Sequence, residues 1–404
     1  MMVTHTDARA RAASLAAAEG FDFVRFAPAT PLPGAREAAR AALSAGRLDG
    51  MNWITPAWVD RSTDPGQFLA GARTVIVLAL AYHRSVPPPP GGAVDIAAPA
   101  RGRVARYAQG RDYHRVFEKK LRRIARALRD EFGAAARATV DYGPLLERPL
   151  AAAAGMGWPG KSTMLLVPGA GPWVLLGEIV TDLELPPDPP LRKTCGACAR
   201  CIAACPTGAL APGGHLLDAR LCISYHTIEN RGPIPADLRA KFSGWVFGCD
   251  ECLDSCPVGA RAARTCPEIE PRSVDDAFPP LAELVGLDEA AFVERFRGRP
   301  IMRAKRDGLL RNACVALGNV GTHADLPALI GAMDDDSALV RGHAAWGVGR
   351  LVARLAIDVD PAIAALESRL AVEDDDFVRE ELRGALDGIR GGITPKGEPD
   401  GERR

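Results

Sequence analysis

The chain has 404 residues, 50 of them basic and 50 acidic, and its hydrophobic content is 47%. This length suits two or three domains, and the composition is typical of soluble globular proteins. Zero net charge provides no overall attraction to nucleic acids or membranes, so such a partner would need locally concentrated charge. No apolar run has transmembrane length and residues 1–20 contain no export signal, which predicts a cytoplasmic protein without a membrane partner.

The first 185 residues alternate between helical and strand patterns, which predicts an α/β domain. The predicted helices cover 5–19, 34–46 and 145–154, the predicted strands cover 21–26, 74–82 and 138–140, and 164–167 is expected to form a hairpin with 173–180. Residues 51–64 and 85–102 are predicted loops, the second because its run of prolines excludes a packed helix or central strand.

Basic side chains are concentrated between residues 101 and 129, where eleven arginines and lysines face only two acids. The later part of this stretch predicts an amphipathic helix, with a buried face formed by Val116, Leu121, Ile124 and Leu128. Its charged face is either a solvated surface or a binding site for the phosphates of a nucleic acid, and the pattern alone leaves both open.

Two cysteine runs organise the middle of the chain. The first is C-x2-C-x2-C-x3-C-P, ending at Pro206, and the second is C-x2-C-x3-C-P, ending at Pro257. Such runs are typical of two-cluster bacterial ferredoxins, in which the last cysteine of each run binds the other run's cluster. One cluster is expected to bind Cys195, Cys198, Cys201 and Cys256, and the other Cys205, Cys222, Cys249 and Cys252. A pair of zinc sites would leave the last cysteine of each run, which precedes the proline, unexplained.

The chain after residue 271 is helical in pattern. Segments that begin near Leu309, Leu339 and Phe377 resemble one another, which predicts HEAT-like helix pairs. The expected fold is therefore a multidomain α+β protein. Its predicted parts are an α/β domain at 1–185, a ferredoxin-like domain with two [4Fe-4S] clusters at 186–272, an all-α HEAT-like domain at 273–390 and a disordered tail at 391–404.

Asp141 is the candidate catalytic carboxylate. It follows a predicted strand in an apolar and aromatic neighbourhood, where desolvation would raise its pKa and allow it to act as a general acid. It also precedes a predicted helix, so its position is equally consistent with an N-cap.

Seven motifs stand out along the chain. They are Arg106-Tyr-Ala-Gln-Gly-Arg-Asp-Tyr-His114, Val140-Asp-Tyr-Gly-Pro-Leu-Leu-Glu-Arg-Pro-Leu150, Gly155-Met-Gly-Trp-Pro-Gly-Lys161, Leu176-Gly-Glu178, the first cysteine run, Arg220-Leu-Cys-Ile-Ser-Tyr-His-Thr-Ile-Glu229 and Gly248-Cys-Asp-Glu-Cys252. Together these motifs resemble those of the epoxyqueuosine reductases, cobalamin and iron–sulfur enzymes that complete queuosine synthesis in tRNA. The chain departs from the family after Cys256, where Pro-Val-Gly follows instead of Pro-Trp-Asn.

The resemblance implies that the N-terminal domain binds base-off cobalamin, which the clusters reduce with electrons from an external donor. It implies that the substrate is epoxyqueuosine in the anticodon stem-loop of tRNA and that Asp141 is the proton donor. The implied cobalamin contacts are Arg61, Asp141, Leu165, Leu176, Ser224, Cys249 and Asp250, and the substrate candidates are Tyr107, Asp112, Tyr113, His114, Tyr225 and Thr227.

Two other classes of protein remain open at this point. A reductive dehalogenase would use the same pair of cofactors, but such enzymes typically carry a twin-arginine signal and have no HEAT-like end. A ferredoxin-like electron carrier fused to a binding scaffold would not be an enzyme, but it would not need an α/β domain large enough for a cofactor.

Overall fold

The structure, a computed structural model, describes residues 5–83, 99–260, 262, 266–355 and 359–391. These residues form two compact units. The first takes the described residues within 1–86, 106–222 and 250–271, and the second takes those within 87–105, 223–249 and 272–404. The predicted loop at 85–102 lies outside the described residues as far as 98, and the predicted disordered tail lies outside them from 392.

The secondary structure of the described residues is mixed. The α-helices are α1 (His5–Ala18), α2 (Pro33–Ser44), α3 (Pro56–Ser62), α4 (Pro65–Phe68), α5 (Tyr113–Phe132), α6 (Glu147–Ala153), α7 (Arg200–Ala203), α8 (Ile223–Ile228), α9 (Ala236–Arg239), α10 (Glu251–Asp254), α11 (Val274–Ala277), α12 (Leu281–Val285), α13 (Glu289–Phe296), α14 (Lys305–Val320), α15 (Leu326–Ala332), α16 (Ala338–Leu355), α17 (Asp360–Val372) and α18 (Asp376–Arg390). The strands are β1 (Phe23–Pro28), β2 (Thr74–Ala81), β3 (Arg103–Val104), β4 (Ala136–Thr139), β5 (Trp158–Pro159), β6 (Leu165–Leu166), β7 (Val174–Thr181) and β8 (Trp245–Phe247).

A four-stranded antiparallel sheet forms the centre of the first unit, in the order β1-β2-β7-β4. Side chains alternate between its two faces. One face packs against α1 and α5, and the other packs against α6. Every residue of β2 is buried, which confirms the prediction of a strand covered on both sides.

Helix α5 confirms the amphipathic pattern of the basic stretch. Its buried face includes all four residues that were expected there, Val116, Leu121, Ile124 and Leu128. The helix begins after Asp112, whose side chain accepts a hydrogen bond from the backbone N–H of His114, so Asp112 is an N-cap.

Two local predictions were wrong. The expected hairpin does not form, because β6 pairs with β5 whereas β7 pairs with β2 and β4 in the large sheet. The expected loop at 51–64 contains helix α3, which starts with Pro56 after the N-cap Thr55. Proline in the first turn and a threonine cap are ordinary helix start signals, so this helix was detectable from the sequence.

The second unit is mainly helical, as the repeat pattern predicted. Helix α16 packs against both α14 and α18, and a short parallel pair, β3 and β8, lies beside α14. Arginine side chains connect the elements within this unit. Arg341 of α16 forms a buried ion pair with Glu373, with a nitrogen–oxygen distance of 2.8 Å. In the part of the chain that the structure describes, no helix is both long and apolar enough to span a bilayer.

Candidate active site

Asp141 lies in the turn that joins β4 to α6. Its φ angle is +21°, at the edge of the left-handed region that residues with a side chain rarely adopt. Its backbone N–H donates a hydrogen bond to Glu147 Oε1, at 2.5 Å, in the first turn of α6. The N-cap of α6 is Leu146, so the N-cap interpretation of Asp141 is wrong. The turn instead presents Asp141 outward, with its side chain 56% exposed.

His114 joins two carboxylates. Its Nδ1 lies 2.6 Å from Asp112 Oδ1, and its Nε2 lies 3.1 Å from Asp141 Oδ2. Its ring stacks on Tyr113, with the ring centroids 4.0 Å apart. Burial lowers the pKa of His114, but the hydrogen bonds and charges of the two carboxylates outweigh burial and raise it to about 9. At neutral pH His114 is therefore an imidazolium that donates a hydrogen bond to each carboxylate.

The charge of His114 determines the state of Asp141. Partial burial raises the pKa of Asp141, but the hydrogen bond and charge of His114 outweigh it, with help from Tyr113 and Arg148. The net pKa is lowered, so the expectation that desolvation raises it was wrong for this arrangement. Asp141 is ionised at neutral pH, and the imidazolium of His114 is hydrogen-bonded to it.

Two further carboxyl groups lie behind this turn. Glu178 of β7 is fully buried, and neither of its oxygens has a hydrogen-bond partner within the described residues. Burial, together with the charges of Glu147 and Asp141, raises the pKa of Glu178 well above its usual range. Burial and the charge of Asp141 raise the pKa of Glu147 to about 8. Sequence reasoning assigned Glu178 no role, although an acid inside a continuous apolar strand is a detectable signal.

Cysteine thiols of the two runs lie near one another in the first unit. Burial raises the pKa of Cys201, and the nearby thiols of Cys195 and Cys256 add to this effect. For Cys252 the same increase comes from burial, and then from Cys222, Asp250, Cys205 and Cys201. The assignment of each thiol to one of two clusters stays a prediction from the spacing.

The surroundings of Cys195 are suited to an iron–sulfur cluster. The backbone N–H of Lys161 donates to Cys195 Sγ at 3.4 Å. Trp158 packs with Cys256 and Cys195, and its buried indole N–H has no partner within the described residues. N–H donors beside cysteine sulfur stabilise the negative charge of a cluster. None of the ten cysteines forms a disulfide bond.

The implied cobalamin contacts differ in burial and belong to both units. Leu165 and Leu176 are buried in one apolar cluster of the first unit, and Arg61 is exposed on α3. Asp250 is buried and accepts hydrogen bonds from the backbone and side chain of Arg106. The other two implied contacts, Ser224 and Cys249, belong to the second unit.

The substrate candidates also divide between the units. Tyr107 and Tyr113 lie in the first unit beside His114, with their ring centroids 6.1 Å apart. Tyr225 and Thr227 belong to α8 of the second unit. Thr227 is fully buried, and its hydroxyl accepts from the Gly248 N–H at 2.9 Å, which favours a structural role over the expected substrate contact.

Comparison with known proteins identifies the cysteine segment and the helical end. Residues 194–259 match the family model of the 4Fe-4S double cluster binding domain, and residues 300–387 match that of HEAT repeats. The epoxyqueuosine reductase of Xanthomonas campestris pv. campestris is 40% identical over 85% of this chain and 96% of its own length. The chain belongs to the epoxyqueuosine reductase family. It therefore groups with oxidoreductases rather than with electron carriers.

One further match covers the turn that carries Asp141. Residues 62–142 match the family model described as epoxyqueuosine reductase QueG, DUF1730, which ends just after Asp141. A crystal structure of an epoxyqueuosine reductase with an epoxyqueuosine-modified tRNA-Tyr stem loop is 29% identical, with a TM-score of 0.85 over 95% of this chain and 98% of that one. A Bacillus subtilis epoxyqueuosine reductase, 28% identical with a TM-score of 0.85 over 94% of this chain and 98% of that one, was solved with a catalytic aspartate loop swung out of its active site.

Proposed function

We propose that this chain reduces epoxyqueuosine to queuosine in the anticodon stem-loop of tRNA, with Asp141 as the residue that protonates the epoxide oxygen. The hydrogen-bonded series Asp112, His114 and Asp141 is the observation that supports this role most directly. It ends in an exposed carboxylate on a turn, within the segment that matches the family model. Such a turn is an accessible position from which a proton can be given to a bound substrate.

The reaction needs protons as well as electrons. Removing the epoxide oxygen as water and leaving a carbon–carbon double bond consumes two electrons and two protons. The oxygen is a poor leaving group unless it is protonated as the carbon–oxygen bond breaks. His114 carries an acidic proton at Nε2, directed at Asp141 Oδ2, so Asp141 can receive this proton and pass it to the substrate. Asp112 orients the imidazole from the other side.

The nearness of thiols from the two cysteine runs supports cluster binding. The spacing rule assigns one cluster to Cys195, Cys198, Cys201 and Cys256, and the other to Cys205, Cys222, Cys249 and Cys252. Clusters held by these thiolates supply single electrons, which come from an external donor of low potential. Reduction of the epoxide needs two electrons, whereas each cluster transfers one at a time. A second redox cofactor can connect the two processes.

Cobalamin is the second cofactor in this proposal, and the exposed residues among its implied contacts in the first unit fit it. The exposed Arg61 and Asp141 would offer a donor and an acceptor for its polar side groups, whereas Leu165 and Leu176 are buried in the apolar cluster and expose almost no surface to a ring. When bound, reduced cobalamin supplies a strong nucleophile or electron donor to the epoxide carbon. Without a D-x-H-x-x-G motif, no histidine of this chain is expected to replace its lower base.

An exposed row of basic residues on α5 supports tRNA binding. Arg115, Lys119, Arg122 and Arg126 recur at helical spacing and are all exposed. Other basic residues of the helix form ion pairs within the protein: Arg123 pairs with Glu19, and Lys120 pairs with Glu268. We call the four exposed residues the basic row. Their positive charges can bind the phosphates of the tRNA. Because tRNA is the substrate, we expect the enzyme to act in the cytoplasm.

A spectroscopic and a catalytic measurement together test this function. The purified full chain, reconstituted anaerobically with iron and sulfide, should contain about eight irons. Added cobalamin should show the visible spectrum of a base-off form, and a stem-loop carrying epoxyqueuosine should be converted to the queuosine form once reductant is added. Cluster loading without cobalamin binding or conversion would favour the electron-carrier alternative instead.

A further inference from the structure

Cys198 is the exposed member of the first cysteine run. All ten cysteines lie within the described residues, and Cys198 alone among them is exposed. Its neighbours Gly196, Ala197 and Ala199 are also exposed, and none of them carries a long side chain that would separate Cys198 from an approaching protein. A cluster bound by this run would therefore have one side that a partner can reach.

Three cations border this loop. Arg192 and Lys193 precede the cysteine run, Arg200 lies within it, and all three are exposed. Lys193 Nζ lies 5.6 Å from the ring centroid of Trp158, which packs with Cys195. We call Arg192, Lys193 and Arg200 the cluster rim. The rim places three positive charges beside the accessible side of the first cluster.

A fourth cation, Lys161, is fixed against the same loop. Its Nζ donates a hydrogen bond to the carbonyl oxygen of Gly196 at 2.9 Å, and its backbone N–H donates to Cys195 Sγ at 3.4 Å. Its own carbonyl oxygen accepts from the backbone N–H of His215 at 2.9 Å. Substitution of Lys161 would therefore disturb the position of the loop as well as its charge, whereas the exposed rim can be changed without removing these contacts.

No carboxylate within this segment offsets the positive charge. The chain has no aspartate or glutamate between Asp188 and Asp218. Both of these acids are already ion-paired, Asp188 with Arg9 and Asp218 with Arg220. None of the rim residues forms an ion pair within the part of the chain that the structure describes. Because the whole chain has zero net charge, the rim is a local concentration of positive charge.

We propose that the cluster rim is the docking surface for the external electron donor, and that this donor is a small acidic protein that carries single electrons at low potential. This inference rests on the proposed function, which needs an external donor. In the encounter one electron leaves the reduced donor and enters the oxidised cluster beside Cys198, and no bond forms or breaks. Complexes that transfer electrons bury little surface and depend on charge for their rate of encounter, so a small basic patch is sufficient.

A nucleic acid is the other class of partner that a basic surface can bind. The position of the rim favours an electron donor, because RNA supplies no electron and does not need access to a cluster ligand. The basic row on α5 already offers charges to the phosphates of the stem-loop. Reversing the charge of each surface should therefore have opposite effects on the two partners.

The experiment follows cluster reduction in the full chain by stopped-flow absorbance. The probe is a reduced plant-type [2Fe–2S] ferredoxin, which is acidic and has a low potential. The triple variant Arg192→Glu, Lys193→Glu, Arg200→Glu should lower the bimolecular rate constant at low salt by at least about tenfold, because attraction between the charges is lost. The difference should shrink as salt screens the charges. Reduction by the small cation methyl viologen should not slow, and the iron content should match that of the wild-type chain.

The matched control reverses three residues of the basic row, Arg115→Glu, Lys119→Glu and Arg122→Glu, which changes the net charge by the same amount. This control should lose affinity for the stem-loop and keep its rate with ferredoxin, whereas the rim variant should do the opposite. Equal slowing in both variants, an unchanged ferredoxin rate in the rim variant, or slower reduction of that variant by methyl viologen would overturn the proposal. Weaker stem-loop binding with an unchanged ferredoxin rate would assign the rim to RNA.

The same measurement separates this inference from the proposed function. Cluster reduction requires neither cobalamin nor epoxyqueuosine. A chain whose clusters accept electrons through the rim, but which does not convert the stem-loop, would contradict only the proposed function. A chain that converts the stem-loop with a chemical reductant, and whose ferredoxin rate ignores the rim charges, would contradict only the docking surface.

Discussion

His114 Nε2 lies 3.1 Å from Asp141 Oδ2, although the two residues are 27 positions apart in the chain. One stands in the first turn of a helix and the other in a strand-to-helix turn. In the proposed mechanism, His114 carries the proton and Asp141 transfers it to the substrate. It also makes the ionisation of each group depend on the other.

Replacing Asp141 by Asn should slow turnover by at least about a hundredfold, because an amide cannot release a proton at neutral pH. Cluster content and stem-loop affinity should be unchanged, and cobalamin should still bind, because the amide of Asn keeps an acceptor oxygen for its polar side groups. The free energy of unfolding should also change little, since Asp141 caps no helix. Single-turnover kinetics with loaded enzyme measure the effect, and near-normal turnover would transfer the acid role to His114 or Tyr107.

Replacing His114 by Gln should alter the pH dependence of stability. The pKa of His114 is raised in the folded chain, so its stabilising contribution is complete below about 6.5 and is lost as pH rises through about 9. The contribution at low pH is at most about 3.5 kcal/mol, from a rise of about 2.5 pH units at about 1.4 kcal/mol per unit. Urea unfolding at pH 6 and pH 9 should show this difference in the wild-type chain and not in the variant.

A matched variant separates the charge of the neighbours from packing. Asp112→Asn keeps the cap of α5, since Asn caps as well as Asp, but it removes one of the two charges beside His114. It should reduce the pH dependence of stability only in part. An unchanged pH dependence in both variants would contradict the paired arrangement.

Serine substitutions should damage the clusters selectively. Cys256→Ser should affect the cluster of the first cysteine run, whereas Cys205→Ser and Cys222→Ser should each affect the cluster of the second. Iron analysis and electron paramagnetic resonance after anaerobic reconstitution would distinguish the two. Cys314→Ser, which replaces a buried thiol of α14, is the control and should leave both clusters intact. Equal loss of both clusters in each variant would contradict the crossed assignment.

Replacing Trp158 by Phe should lower the reduction potential of the cluster bound by Cys195 and Cys256. The indole N–H is a buried donor without a partner among the described residues, and donation to sulfur stabilises the reduced, more negative cluster. Phenylalanine retains the apolar packing and removes the donor. A potentiometric titration compares the variant with Trp53→Phe, a change at an exposed site. Equal potentials would mean that the indole does not reach the cluster.

Reversing the basic row to glutamate should weaken stem-loop binding and reduce its dependence on salt, because each neutralised phosphate releases counterions. Fluorescence anisotropy at two salt concentrations measures both quantities. Arg25→Glu, at an exposed position on β1, is the control for a change in net charge alone. Binding that is insensitive to salt would return α5 to the solvated-surface interpretation.

The sequence predicted best those features that depend on residues close together in the chain, such as cysteine spacing and helical periodicity. Cluster geometry restricts cysteine spacing so tightly that the two cysteine runs predicted a double-cluster domain, which the family match over residues 194–259 confirms. The buried face of α5 follows in the same way from helical periodicity. By contrast, β6 and β7 were expected to pair with each other because they are adjacent, yet each has its partners elsewhere.

The ionisation of the site was beyond sequence reasoning. The pKa of Asp141 is governed by an imidazolium brought in by tertiary structure, and the burial of Glu178 depends on which helix covers its strand. Both effects arise from residues distant in sequence. A pattern can indicate that an acid is present, but its neighbours decide whether it holds a proton.

Arg311 of α14 is fully buried, and its guanidinium donates to the backbone carbonyl oxygens of His226, Asn230 and Gly232. The adjacent Asn312 binds the carbonyls of Thr227 and Val246 in the same way. The first repeat helix thus binds backbone carbonyls of α8, of the segment that follows α8 and of β8. Truncating the chain before α14 would remove these hydrogen-bond donors from the carbonyls. The repeats are therefore not an independent domain that can be deleted or exchanged. A relative that lacks them would need other donors for the same backbone carbonyls.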